Sequence, residues 1–222
     1  MASFRYLTRE DILDIHDRIH VQSNGFMSSE NLNFIIDQIK DFPELAGIEP
    51  RSPQEKVVYC ASYLLFHLVK GHCFNDGNKR TAFISFNFFL HNNQFDPTYD
   101  EENIKSKLIQ INQKINQGSK PFDAINEIFG KNSESPDFRL ITLLFELAGA
   151  NPKISYLSPL EIVQSVQTFI KWKKPSVMED STPMLFKKSR FKAIPVDHDE
   201  LIKFVDEFIK KNPETMKLLE KS

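Results

Sequence analysis

The sequence predicts an all-α protein, and three observations favour that fold class. The chain of 222 residues contains only 7 glycines, which leaves few residues for the tight turns of an all-β protein. Apolar residues recur at helical spacing through most of the chain. Residues that commonly cap helices (Ser, Thr and Asp) stand directly before several of these segments. We therefore expect a helical bundle followed by a mostly helical C-terminal region.

Three helices are predicted before residue 71. Thr8 and Asp11 form a capping-box pattern at the start of the first helix, and Ser29 can cap the second. Prolines in the stretch 42–53 exclude a helix there, so we expect a loop. The third helix, over 55–70, is apolar around nearly its whole circumference, and it is therefore expected to be central and buried.

Three more helices are predicted up to residue 130. Residues 81–90 form an almost wholly apolar helix, which follows a short polar interruption at 71–80. Asp100 can cap a long helix of regular apolar spacing. A shorter helix over 122–129 is expected to end at Gly130, because glycine readily adopts the conformation of a helix C-cap.

The sequence pattern predicts that the chain after residue 130 forms a separate region. Residues 131–137 are polar and lack periodic apolar residues, which makes them the best candidate for a linker. We therefore divide the chain into a domain over 1–130, this linker, and a C-terminal region over 138–222. Helices are predicted in that region at 138–148, 158–172 and 197–211. Residues 173–196 receive no assignment.

The composition excludes several classes of protein. Two cysteines, Cys60 and Cys73, cannot form a disulfide framework, so a reducing cytoplasm is the expected compartment. No apolar run is long enough to span a bilayer. The formal net charge of −2 argues against a mainly electrostatic role on nucleic acid or anionic membrane. We therefore expect a cytoplasmic protein whose partners are neither membranes nor nucleic acids.

The polar interruption at 71–80 contains the residues that carry chemistry. Six polar or charged side chains and two glycines stand here between two apolar helices. Buried charge is costly unless it is paired or ligated, so this loop is expected to bind something. A turn at Gly77 that leads into a helix exposes backbone N–H groups at the positive end of the helix dipole. Lys79 and Arg80 add positive charge there, and the pattern predicts a phosphate site.

Other residues of this loop also suit phosphate chemistry. The carboxylate of Asp76 can hold a Mg²⁺ ion that bridges nucleotide phosphates. His72 lies at the opposite end of the loop, and an imidazole can take a proton from an attacking hydroxyl as a general base. Phe74 stands between the polar residues and is expected to point into the core, where it anchors the loop.

The block His-x-Phe-x-Asp-Gly-Asn-Lys-Arg-Thr at 72–81 resembles the signature of the Fic/Doc superfamily. Members are all-helical proteins that transfer phosphate-containing groups from nucleotides to protein hydroxyls. The sequence resembles the Doc (death-on-curing) branch more narrowly, because Lys79 and Phe83 stand where adenylylating Fic enzymes have a Gly and a second Arg. The opening segment 6–12 also resembles the start of Doc-like proteins. The resemblance covers residues 6–130.

The resemblance implies a role for each residue of the block. His72 would be the catalytic base, and Asp76 would bind Mg²⁺. The residues that would bind the phosphates of ATP or another nucleoside triphosphate are Phe74, Gly77, Asn78, Lys79 and Arg80. The implied activity is transfer of a phosphate group to a Ser or Thr of a target protein. In the Doc branch the enzyme is the toxin of a prokaryotic toxin–antitoxin pair, and its target is a threonine of elongation factor Tu.

Alternative functions stay open. Adenylylation (AMPylation) of the target is the main one, and a catalytically silent adaptor that senses nucleotides is the second. Residues 131–222 lie outside the resemblance, and they would serve either as a built-in antitoxin or as a docking site for the target. The stretch 98–103 also matches a Fic inhibitory helix with Glu102 as its inhibitory residue. Asp100 as an N-cap explains that stretch better.

Overall fold

The computed structural model describes residues 3–19, 28–41, 52–130, 135–149, 159–173 and 192–220, and it confirms the all-α fold class. Within these ranges it has ten helices and four short strands. The helices are α1 (Arg9–Arg18), α2 (Ser29–Asp41), α3 (Pro53–Lys70), α4 (Asn78–Asn92), α5 (Glu101–Asn116), α6 (Pro121–Phe129), α7 (Pro136–Leu147), α8 (Pro159–Phe169), α9 (His198–Lys211) and α10 (Pro213–Glu220). The strands are β1 (Ser3–Tyr6), β2 (Phe95–Pro97), β3 (Ile170–Trp172) and β4 (Lys192–Pro195).

Several helices begin and end where the sequence predicts. The Thr8 hydroxyl accepts the N–H of Asp11 at 3.2 Å, and the Asp11 carboxylate accepts the N–H of Thr8 at 2.7 Å, which completes the capping box of α1. Asp100 accepts two N–H groups from the first turn of α5. Asp197 caps α9 by accepting the N–H of Glu200 at 3.0 Å. Gly130 ends α6 with a φ of 54°.

Several predictions about the helices are wrong. Ser29 is the first residue of α2, and the cap is Ser28, whose hydroxyl accepts the N–H of Asn31 at 3.2 Å. The predicted helix over 158–172 ends at Phe169, because the backbone beyond it bonds to residues 94–98 as β3 instead of continuing the helix. Helix α10 was not expected at all. Residues 42–51 of the predicted loop and 131–134 of the predicted linker lie outside the described residues. The last two residues of the predicted loop belong to the start of α3, where Ser52 is the N-cap and Pro53 is the first helical residue.

Helices α3 and α4 form the centre of the core and hold the polar loop between them. As predicted, α3 is buried over most of its length, and α4 is buried even more completely. Helices α1, α9 and α10 pack on α4, and α2 and α8 pack on α3. One continuous hydrophobic core therefore includes residues from both sides of the predicted linker. The division into a domain over 1–130 and a region over 138–222 stays a prediction.

Aromatic and backbone contacts join the C-terminal helices to the first part of the chain. The rings of Phe83 and Phe208 lie 6.0 Å apart, and those of Phe88 and Phe204 lie 5.2 Å apart, so α9 covers one side of α4. Strand β4 pairs in parallel with β1, near the N-terminus. None of the described helices is both long and apolar enough to cross a membrane.

A carboxyl group between α7 and α8 gives a testable pH dependence. Burial and the neighbouring carboxylate of Glu161 raise the pKa of Glu146 to about 7. Its stabilising contribution is therefore fully present below the ordinary glutamate pKa and is lost as the pH rises through 7. Because Glu146 is only partly buried, we expect Glu146→Gln to raise the free energy of unfolding by about 1 kcal/mol at pH 8, and by almost nothing at pH 4.

Urea denaturation at pH 4 and pH 8 measures the change in the free energy of unfolding that Glu146→Gln causes. The exposed Glu207 is a matched control, and Glu207→Gln should not produce the same pH dependence. Equal effects of Glu146→Gln at pH 4 and pH 8 would contradict the raised pKa.

Candidate active site

The polar loop runs from the end of α3 to the start of α4. Gly71 ends α3, and Gly77 adopts a left-handed conformation with a φ of 78° directly before α4. Because α4 begins at Asn78 and not at the predicted residue 81, Asn78, Lys79 and Arg80 lie in its first turn. No side chain caps this turn, so the N-terminus of α4 lacks the usual side-chain partner for its backbone N–H groups. Such a helix end favours an anion.

Asn78 holds the loop closed. Its side-chain oxygen accepts the N–H of Phe74 at 2.9 Å, and its side-chain nitrogen donates to the carbonyl of Phe74 at 2.7 Å. This paired contact fixes the turn that leads into α4. Phe74 itself is buried in the core, where it was expected. Asn78 and Phe74 therefore shape the backbone around the predicted phosphate site.

His72 lies at the open side of the loop. Its side chain is exposed, and its φ of 43° is in the left-handed region that non-glycine residues rarely adopt. The backbone on either side is held from α2, because Asn31 donates to the carbonyl of Gly71 at 2.7 Å and the N–H of Ser28 donates to the carbonyl of Cys73 at 3.3 Å. An unusual backbone conformation that is fixed in this way is typical of functional positions.

Asp76 is partly exposed and is oriented by two neighbours. One carboxylate oxygen accepts the N–H of Gly77 at 2.6 Å, and the other lies 3.4 Å from the guanidinium of Arg80. Among the described residues, no three His, Cys, Asp or Glu side chains are grouped to hold a metal ion. Mg²⁺ in nucleotide sites is commonly bound by one or two carboxylates together with phosphate oxygens and water. A single accessible carboxylate at 76 fits that kind of site.

Arg80 is buried, and its guanidinium faces oxygen atoms of the protein. The Nη1 atom lies 3.4 Å from the carbonyl oxygen of Ile19 and 3.6 Å from a carboxylate oxygen of Glu220, while Nη2 faces Asp76. The side chain therefore links the loop to the ends of α1 and α10. The phosphate contact predicted for Arg80 would have to form in addition to these contacts, or replace one of them.

Lys79 provides positive charge on a more accessible side of the same turn. Burial and the nearby ammonium group of Lys70 lower the pKa of Lys79. Two like charges close together are stabilised by an anion between or beside them. Lys70 was not among the predicted site residues, although its place two residues before His72 at the end of α3 is visible in the sequence.

The lowered pKa predicts the pH dependence of anion binding. The lowered pKa means that Lys79 loses its proton at a lower pH than an ordinary lysine. We therefore expect the affinity for ATP to decrease with rising pH sooner than it would with a lysine of ordinary pKa. Titration calorimetry with ATP from pH 7 to pH 10 measures this decrease. Lys79→Arg keeps its charge over that range and should remove most of it. An identical pH profile in both proteins would contradict the assignment of Lys79 to the anion site.

His16 is a second residue that the sequence did not single out. It lies on α1 and is almost completely buried, with its ring stacked on Phe74 at 4.0 Å. Its Nε2 atom lies 3.0 Å from the carbonyl oxygen of Asp76. The available signal was its position on the apolar face of α1, four residues after Ile12 and next to Ile15.

Comparison with protein-family models gives a match, which includes the loop. Residues 6–90 match the model of the Fic/DOC family, and this segment includes every predicted site residue from 72 to 80. The match supports the Fic/Doc superfamily for this part of the chain. No curated protein and no solved structure matches the chain.

Proposed function

We propose that this protein is a Doc-like transferase that moves a phosphate group from a Mg²⁺-bound nucleotide to a Ser or Thr hydroxyl of a target protein. The observation that carries the proposal is one short loop that contains the exposed His72 and ends at the uncapped N-terminus of α4. Both lie in the segment that matches the Fic/DOC family, whose members generally transfer nucleotide-derived groups to proteins.

The residues of the loop suit this reaction. His72 would accept the proton of the target's Ser or Thr hydroxyl. The hydroxyl oxygen would form a bond to the terminal phosphorus while the bond from that phosphorus to the departing nucleoside diphosphate breaks. The N–H groups of the first turn of α4 and the ammonium group of Lys79 would stabilise the negative charge of the phosphates. Asp76 would hold Mg²⁺, which neutralises phosphate charge when it is bound.

Two positions favour transfer of the terminal phosphate over transfer of AMP. Lys79 stands where adenylylating Fic enzymes normally have a glycine. Phe83 stands where they have their second arginine. Phe83 is buried against Phe208, so α4 presents no cation at that position. The family resemblance extends the proposal to a toxin that acts on translation, with elongation factor Tu as a candidate target and an antitoxin as a second partner.

Labelled nucleotides separate the main proposal from its first alternative. The protein and a target are incubated with ATP that is labelled at either the α or the γ phosphate. Phosphorylation retains label from the γ position and adds about 80 Da to the target, whereas adenylylation retains label from the α position and adds about 329 Da. Label retained only from the α position would overturn the kinase proposal in favour of AMPylation.

The second alternative is a silent adaptor that binds nucleotide without transferring any group. It would show nucleotide binding with no label on the target. An exposed histidine in the same loop as the predicted phosphate site favours an enzyme over an adaptor.

A further inference from the structure

The peptide bond between Asp76 and Gly77 is held at both ends. Its carbonyl oxygen lies 3.0 Å from Nε2 of His16, and its N–H donates to the carboxylate of Asp76 at 2.6 Å. A carbonyl oxygen can only accept a hydrogen bond, so Nε2 of His16 must carry the proton that is donated. The orientation of this peptide therefore depends on a side chain from α1, about sixty residues away in the chain.

The stacked ring makes this contact rigid. His16 and Phe74 lie with their centroids 4.0 Å apart and an angle of only 15° between their planes. Both side chains are almost completely buried. The imidazole therefore has little freedom to turn away from the carbonyl of Asp76, and no water replaces it easily at that position.

Rotation of this peptide would change the site. Glycine has no Cβ, so the backbone at Gly77 can adopt more than one conformation at low cost. If the peptide turned over, its carbonyl oxygen would face the carboxylate of Asp76 in place of the N–H, and the two oxygens would repel each other. The carboxylate would move, and the first turn of α4 would begin from a different direction.

We infer that His16 is a positioning residue, which fixes the Asp76–Gly77 peptide and thereby orients the Asp76 carboxylate and the N-terminus of α4. This inference rests on the proposed function only for its effect on nucleotide binding. The role of His16 in setting the peptide is a property of the free protein and is measurable without any target.

Two variants separate the hydrogen bond from the stacked ring. His16→Phe keeps an aromatic ring against Phe74 but cannot donate to the carbonyl, whereas His16→Gln restores a donor without the ring. We expect His16→Phe to weaken Mg²⁺-dependent ATP binding by about tenfold or more, because the carbonyl of Asp76 loses its donor and the peptide is no longer held in place. We expect His16→Gln to recover most of that loss. Titration calorimetry at several Mg²⁺ concentrations measures both.

The NMR chemical shift of the Gly77 backbone amide reports directly on the orientation of this peptide. A general loss of stability would not change it in the same way. The amide resonance should shift strongly in His16→Phe and return towards its wild-type position in His16→Gln, while urea denaturation shows how much each variant loses in overall stability. Equal ATP affinity and an unshifted Gly77 amide in His16→Phe would overturn the inference. Losses of affinity that follow stability alone, with no recovery in His16→Gln, would also overturn it.

The wild-type protein supplies a test that does not depend on the variants folding. The ¹⁵N spectrum of its imidazole groups should show His16 with a proton on Nε2, and a bare Nε2 would overturn the inference because it cannot donate to a carbonyl. A wild-type protein that fails to bind ATP would instead contradict the proposed function, while the Gly77 and His16 resonances would still report on the peptide.

Discussion

Replacing His72 with asparagine is expected to reduce group transfer by a factor of about 10² to 10⁴, the usual contribution of a general base. Asparagine tolerates the left-handed conformation that His72 adopts, so the backbone of the loop should stay in place. Its amide cannot accept the proton of an attacking hydroxyl. Because the His72 side chain is exposed, ATP affinity and the free energy of unfolding should change little. The measurement is the initial rate of target labelling, together with calorimetric ATP binding.

His91 offers a matched control. It is also an exposed histidine, but it lies at the opposite end of α4. His91→Asn should leave the labelling rate close to that of the wild type. Undiminished transfer in His72→Asn would contradict the role of His72 and would favour either another base or the silent adaptor.

Ending the chain at residue 196 is expected to abolish cooperative folding. This truncation removes α9 and α10, whose side chains Leu201, Val205, Phe208 and Leu219 are buried in the common core. Burial of each such side chain contributes about 1.5 to 3 kcal/mol, so their combined loss is comparable to the whole stability of a typical domain. Circular dichroism during thermal and urea denaturation should show no sharp transition.

A single substitution tests the packing of α9 on α4 without removing any part of the chain. Phe208→Ala should cost about 3 to 5 kcal/mol, because it leaves a cavity beside Phe83. Phe34→Ala is the matched control, since the Phe34 side chain is 59% exposed and its removal should cost little. A truncated chain that keeps a cooperative transition would show instead that residues 1–196 fold without α9 and α10. Its transfer rate would then show whether α9 and α10 inhibit transfer or help to dock the target.

Much of the site and fold could be predicted because the signals are local. Thr8 and Asp11 lie within one helical turn of each other, and the capping box that they form depends on nothing else in the chain. The spacing of His72, Asp76 and Gly77 is likewise readable from one short segment. The capping box and the contact of Asp76 with Gly77 both join neighbours in sequence, so spacing indicates such contacts directly.

The missed features depend on partners that are far apart in sequence. Glu220 approaches Arg80 across 140 positions, and β1 pairs with β4 across almost the whole chain. Nothing in residues 170–172 excludes a helix, and they form a strand because β2 offers free backbone groups beside them. His16 is a further example. Its position on the apolar face of α1 is visible in the sequence, but its partner, the carbonyl oxygen of Asp76, is not.

The contact of Arg80 with Glu220 has a consequence for the order of synthesis. During translation the loop at 71–80 leaves the ribosome long before residue 220 does, since chains grow from their N-terminus. Until then the guanidinium of Arg80 lacks one of its three oxygen partners, and α4 lacks its cover from α9 and α10. The geometry around Asp76 is therefore completed only after residue 220 has been made, so a shorter nascent chain carries the motif without the finished site.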